Sequence, residues 1–236
     1  MVFKPSFGKP ADRSSRLKPA LFEQFARIGR ALSHGQRLEL LELLAQGESA
    51  VDSLAQTMNL PMANVSQHLK QLKQAGLVTA RREGRSIIYQ VAGPQVVTLL
   101  ESTQRVAQST LDEVGQLLTQ LADQDAVQPV PLDEALRQAR AGLVTLIDVR
   151  PPGEYAMAHL PGAINVPLSE LARRLGGLPA DREIMAYCRG PYCVLSFEAV
   201  KQLRAAGYRA RRIDDGIPRW RAEERSLEGR QPHYAV

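Results

Sequence analysis

The sequence predicts two domains of different class: a mostly helical one, then an α/β one. Three observations carry this expectation. From Leu21 to Leu121 apolar residues recur every three or four positions, interrupted by one pair of short strand-like runs. A polar, aperiodic stretch with two prolines follows at 123–131. Beyond it, short apolar runs alternate with helical patterns, as in a parallel sheet covered on both faces. The expected division is a flexible basic tail at 1–18, a first domain at 19–122, a linker at 123–131 and a second domain at 132–236.

The chain has 236 residues, 44% hydrophobic and 23% charged, which is ordinary for a soluble globular protein. Two cysteines make no disulfide framework, so a reducing cytoplasm is the expected compartment. There is no apolar run of about 18 residues, so no membrane span is expected. Met1 to Lys18 carries cations but no apolar core, unlike a secretory leader. Charge is unevenly placed. Residues 1–85 hold 13 Lys/Arg against 7 Asp/Glu, residues 86–122 hold 1 against 3, and the remainder is nearly balanced. A basic first third fits a polyanionic partner, although a solvated basic face would look the same.

Leu21, Phe22, Phe25, Ile28 and Leu32 mark a first helix. Ser33-His34-Gly35-Gln36 fits a capping box with Ser33 as cap, ahead of a leucine-rich helix that stops at Gly47. A short helix carries Val51, Leu54, Ala55 and Met58. Pro61 suits the first position of the next helix, which runs to Gln74 and buries Val65, Leu69 and Leu72. Leu77–Arg81 and Ser86–Val91 read as a hairpin with a basic tip. Val96, Leu100, Thr103, Val106, Thr110, Val114, Leu117 and Leu121 then make one long amphipathic helix from Pro94, suited to a dimer seam.

Helix, turn, helix and basic hairpin make the winged helix-turn-helix order. Ala31 to Leu38, Asn64-Val65-Ser66-Gln67-His68-Leu69-Lys70-Gln71-Leu72, Ala75-Gly76-Leu77-Val78 and Arg82-Glu83-Gly84-Arg85 resemble the ArsR family of bacterial repressors. The resemblance covers about residues 20–92 and implies a homodimer bound to double-stranded operator DNA. Asn64, Ser66, Gln67 and Lys70 would face the DNA, with Ser66 and Gln67 toward base edges and Lys70 toward phosphate. Arg81, Arg82 and Arg85 would serve the wing. His68 reads either as a phosphate contact or as a packed core histidine. Met62 and Ala63 replace residues that are often polar in the family. ArsR-like proteins often sense metals through cysteines ahead of the recognition helix, where this chain has Ala50 and Asp52. His34, His68, His159 and His233 show no ligand spacing. No metal site and no resident cofactor are expected.

In the second domain Leu132–Ala141 reads as a helix, Leu143–Val149 as a buried strand and Ala163–Val166 as another. Ser169 can cap a helix at Glu170–Leu175. Glu183–Tyr187 and Arg211–Ile213 are further strands around a helix at Val194–Ala206. Between strand and helix lies Cys188-Arg189-Gly190-Pro191-Tyr192-Cys193-Val194, with both cysteines of the chain. Leu146 to Arg150, Glu154-Tyr155, His159 to Pro167, this loop, and Asp215 to Trp220 resemble a rhodanese-like sulfurtransferase domain spanning about 130–229.

That resemblance implies that Cys188 accepts sulfane sulfur as a persulfide from a small donor: thiosulfate, polysulfide or a low-molecular-weight persulfide. The thiolate is the nucleophile, so its pKa has to fall from about 8.5. Loop amides and a helix N-terminus favour the anion by roughly 0.3–1 kcal/mol each, and Arg189 adds a cation. Asp148, Arg150, Glu154 and His159 would brace the loop and strand ends. Two departures narrow the chemistry. Related oxyanion-binding enzymes need an arginine where this chain has Val194, and Cys193 replaces a frequent arginine or threonine. Cys193 can resolve a persulfide if its Cα lies within about 7 Å of that of Cys188, or it can simply pack in the first turn of the helix. The expected function is a repressor that senses sulfane sulfur. The alternatives are a sulfurtransferase with an attached DNA-binding domain and, less favoured, a sensor of arsenite or a soft metal at Cys188 and Cys193.

Overall fold

The computed structural model describes residues 13–122, 128–222 and 225–229. Its first half is built from α1 (Arg13–Leu32), α2 (Gly35–Gln46), β1 (Ser49–Ala50), α3 (Val51–Met58), α4 (Met62–Gln74), β2 (Val78–Glu83), β3 (Ser86–Val91), α5 (Pro94–Thr110) and α6 (Asp112–Ala122). Leu40, Leu41 and Leu44 of α2 bury against Val65, Leu69 and Leu72 of α4. Each such side chain contributes about 1.5–3 kcal/mol by leaving water. α2 is therefore the beam on which α4 rests. Arg37 ties the two together, its Nη1 donating to Gln71 Oε1 at 2.7 Å. The wing is the antiparallel pair β2–β3, with β1 added along the other edge of β3.

Four local expectations change. α1 begins at Arg13, inside the stretch expected to be a flexible tail, while residues 1–12 lie outside the described ones. The cap of α2 is His34, not Ser33: its Nδ1 accepts from the Gln36 amide at 3.3 Å, whereas the Ser33 hydroxyl donates back to the Arg30 carbonyl. Pro61 caps α4 instead of opening it. The long helix breaks at Leu111, which is extended (φ −112°, ψ 110°). Ser109 and Thr110 both donate their hydroxyls to the Val106 carbonyl, and such back-bonding bends helices. Asp112 and Glu113 then favour a fresh N-terminus.

The second half comprises α7 (Leu132–Arg140), β4 (Val144–Asp148), α8 (Pro152–Met157), β5 (Ile164–Asn165), α9 (Leu168–Arg174), β6 (Glu183–Cys188), α10 (Val194–Ala205), β7 (Ala210–Gly216) and α11 (Ile217–Ala222). The strands form a parallel sheet in the order β5-β4-β6-β7. Alternation divides its side chains. Leu146, Met185, Tyr187 and Ile213 pack toward α7 and α11, and Ile147, Ile184 and Ala186 toward α9 and α10. Pro167 stands at the α9 N-cap, so Ser169 does not cap that helix. Of the expected linker, 123–127 lie outside the described residues. Its end is not loose: Val130 bridges to Ile213 at the sheet edge, with its amide 2.8 Å from the Arg212 carbonyl.

The halves meet where the C-terminal end of α2 and one side of α5 lie against α11 and the loop after β6. Among the described residues no helix is long and apolar enough to cross a membrane.

Candidate functional site

The strand β6 carries Cys188 to the C-terminal edge of the sheet, and Cys193 caps α10. The two are disulfide-bonded, with Cα atoms 6.2 Å apart. This separation is ordinary for a cystine. Both are nearly sealed from solvent, Cys188 at 1% exposure and Cys193 at 6%. Arg189, Gly190 and Tyr192 between them are half-buried; Pro191 and Val194 are exposed.

The loop is held at several points. Arg189 forms a two-pronged ion pair with Glu154, Nη2 to Oε1 at 2.6 Å and Nε to Oε2 at 3.0 Å. The Gly190 carbonyl accepts from the Cys193 amide at 3.2 Å. Arg212, stacked over the Phe197 ring at 4.1 Å, donates to the Pro191 carbonyl at 3.4 Å. Cys188 pairs with Gly216 across β6–β7. A Cβ on Gly216 would lie 2.6 Å from the Arg189 carbonyl carbon and closer still to its oxygen. Only glycine lets the loop backbone come so near.

Beneath the loop lies a charged pair with no exposure. Asp148 accepts from the Arg150 amide, Nε and Nη2, the last at 2.6 Å. Burial opposes charging Arg150, but the adjacent Asp148 carboxylate outweighs it and holds the guanidinium's pKa above its ordinary value. Arg150 Nη2 also donates to the Ala158 carbonyl at 2.7 Å. His159 stacks on Tyr155 with ring centroids 3.7 Å apart, and its Nε2 lies 3.3 Å from Glu228. Of the residues expected to brace the loop, Glu154 touches it directly. Asp148 and Arg150 hold the strand end below it, and His159 joins α8 to the segment at 225–229.

The sequence reading missed four residues here: Gln46, Gln108, Arg212 and Arg221. The Gln46 side chain reaches the loop from α2, and Tyr192 donates to Gln108 Oε1 at 2.8 Å. Nothing local marks Gln46, Gln108 or Arg221, because the partners they meet across the junction lie far along the chain.

On the opposite half, Asn64, Ser66, Gln67 and Lys70 are exposed along α4, and Arg82 and Arg85 are exposed on the wing. Arg81 pairs with Glu48 and Glu83. His68 is half-buried, its Nε2 2.8 Å from Gln36 Oε1 and its ring 4.6 Å from that of His34. Burial, then the neighbouring His34 and Arg37, lower its pKa. Among the described residues no group of three or more His, Cys, Asp or Glu is arranged to hold a metal ion.

Comparison with known proteins matches both halves. Residues 34–80 match the model of the bacterial regulatory protein arsR family, and residues 131–223 match that of the rhodanese-like domain. The chain is 46% identical over 213 residues to the HTH-type transcriptional regulator Rv0324 of Mycobacterium tuberculosis, covering 89% of this chain and 92% of that one. A sulfurtransferase of Allochromatium vinosum is 33% identical over 78 residues, 33% of this chain and 71% of its own. The solution structure of the homodimeric winged helix-turn-helix DNA-binding domain of Mb0332 from Mycobacterium bovis is 43% identical. It covers 44% of this chain and 94% of that one, with a TM-score of 0.39.

Proposed function

Since the chain belongs to the ArsR family of transcriptional regulators and carries a rhodanese-like second half, we propose that it reads sulfane sulfur at Cys188 and reports it to operator DNA. The observation that carries this reading is the pairing of Cys188 with Cys193 in a loop pressed against the DNA-binding half. The chemistry takes two steps. The Cys188 thiolate attacks the outer sulfur of thiosulfate; a new S–S bond forms, the old one breaks, and sulfite leaves with its electron pair. The Cys193 thiolate then attacks Cys188 Sγ and expels hydrosulfide. The cysteine pair is oxidised to the disulfide, and the sulfane sulfur is reduced to hydrosulfide. Polysulfide or a small persulfide serves equally as donor. A cellular thiol or dithiol returns the disulfide to two thiols by exchange.

The protein acts as a homodimer in the cytoplasm. Leu17, Leu21, Phe22 and Phe25 on α1 and Val106 on α5 are apolar and at least 55% exposed, which a second copy would cover. Asn64, Ser66, Gln67, Lys70, Arg82 and Arg85 contact the DNA.

A standing sulfurtransferase activity is the second reading, favoured by the similarity to the Allochromatium vinosum protein. The burial of both sulfurs opposes rapid exchange with a large acceptor. Turnover with thiosulfate and cyanide separates the two readings. A sensor loads once and stalls, whereas sustained turnover on the order of 1 s⁻¹ or more makes the protein an enzyme first. Intact mass adds the second half of the test. Cys193→Ser treated with polysulfide retains an extra sulfur on Cys188, and the wild type ends as the disulfide. Absence of any sulfur adduct on Cys193→Ser contradicts the proposed order.

A further inference from the structure

Gln46, the last residue of α2, is a polar side chain with 1% exposure set between the two halves. Its Oε1 accepts from Arg150 Nη1 at 3.0 Å. Its Nε2 donates to the Arg189 carbonyl at 3.3 Å and to the Glu42 carbonyl at 3.2 Å. One amide thus joins the buried Asp148–Arg150 pair, the peptide next to Cys188, and the end of α2. Arg221 of α11 strengthens the junction. Its Nη1 and Nη2 donate to the Ala45 and Gln46 carbonyls at 3.0 and 3.1 Å, capping the open end of α2 from the other half of the chain. On its far side the loop is pinned to α5 through Tyr192 and Gln108. The gap left among the loop, α2 and α5 is about 40 Å³.

The loop therefore has little freedom toward α5, whereas a cavity of about 780 Å³ opens beside Arg189 between α2 and α8. Gly216 stands behind the Arg189 carbonyl and Gln46 in front of it. Adding a sulfur to Cys188, or opening the disulfide, changes the path of residues 189–193. That change has to be met at Gln46, at Gln108, or at both. α2 carries it onward, because its leucines pack on α4 and Arg37 holds Gln71. The geometry points to Gln46 as a latch that passes the sulfur state of Cys188 to the recognition helix, with the Tyr192–Gln108 bond as its second point of attachment. The inference rests on the sulfur-sensing reading above and names the route by which the signal reaches DNA.

The test uses the full-length chain, an operator duplex selected on it, and inorganic polysulfide as probe. Operator affinity and intact mass are measured on the same samples of wild type, Gln46→Ala and Gln108→Ala. A coupled regulator changes its operator affinity by about 5–150-fold on treatment. Both variants are expected to reach the Cys188–Cys193 disulfide on treatment, as the wild type does, and to bind the untreated operator normally. The polysulfide-induced change is expected to shrink to within about twofold for Gln46→Ala and to a fraction of the wild-type value for Gln108→Ala. If both keep the full wild-type response with normal disulfide formation, the latch is wrong. Should Gln46→Ala lose untreated binding through misfolding, Gln46→Glu, which keeps an acceptor for Arg150 and loses the donor to the Arg189 carbonyl, takes its place beside Gln108→Ala. A wild type that loads sulfur without any change in affinity overturns the sensing reading itself, a result distinct from failure of the latch.

Discussion

His68 places a titratable group inside the fold of the recognition helix. Its lowered pKa means that the folded state resists the proton which the unfolded chain accepts at about 6.5. Stability is therefore full above that pH and falls as pH drops below it. Thermal unfolding at a series of pH values should show this slope, and His68→Gln should flatten it; an equal slope in both contradicts the assignment. Asp148 and Arg150 make the complementary case. Arg150→Met strands a buried carboxylate and should cost about 3–5 kcal/mol in urea unfolding, much of it recovered by adding Asp148→Asn. Cys188 and its loop were legible in the sequence because strand, loop and helix are contiguous there. Gln46 was not, because Arg150 and Arg189 lie 104 and 143 residues away from it. The contact of His68 with Gln36, 32 residues away, was likewise not legible.

Pattern recovered the larger elements, since α4 and α10 each bury one regular stripe and β6, buried on both faces, reads as a continuous apolar run. It failed where spacing continues through a break. Val106, Thr110 and Val114 keep helical intervals across Leu111, so the division of α5 from α6 follows from hydroxyl back-bonding that apolar spacing does not register. β1 is two residues long and exists through its pairing with β3, a contact no local pattern encodes. The turn from β7 into α11 depends on one glycine. Gly216→Ala forces the Arg189–Gly190 peptide away and should cost about 1–3 kcal/mol, as overpacking does. It should also slow disulfide formation after polysulfide treatment, followed by intact mass. A variant with wild-type stability and rate would show that the loop does not need this close approach.

The whole molecule joins a winged helix-turn-helix half to a rhodanese-like half that bears the Cys188–Cys193 disulfide, and the loop between the two cysteines meets α2 at the junction. In the proposed homodimer the exposed apolar residues of α1 would meet the second copy. Phe22→Glu combined with Phe25→Glu should convert a sedimenting dimer into a monomer and weaken operator binding; a variant that stays dimeric places the seam elsewhere. The division into halves was readable from composition and motif. Their docking was not, because α2, α5, α11 and the loop come from four separated stretches of sequence. The most direct test of sulfur sensing is operator affinity of the full-length protein before and after polysulfide, for wild type and Cys188→Ser side by side. The account predicts a change of about 5–150-fold in the wild type and none in the variant. An equal response from Cys188→Ser would contradict it.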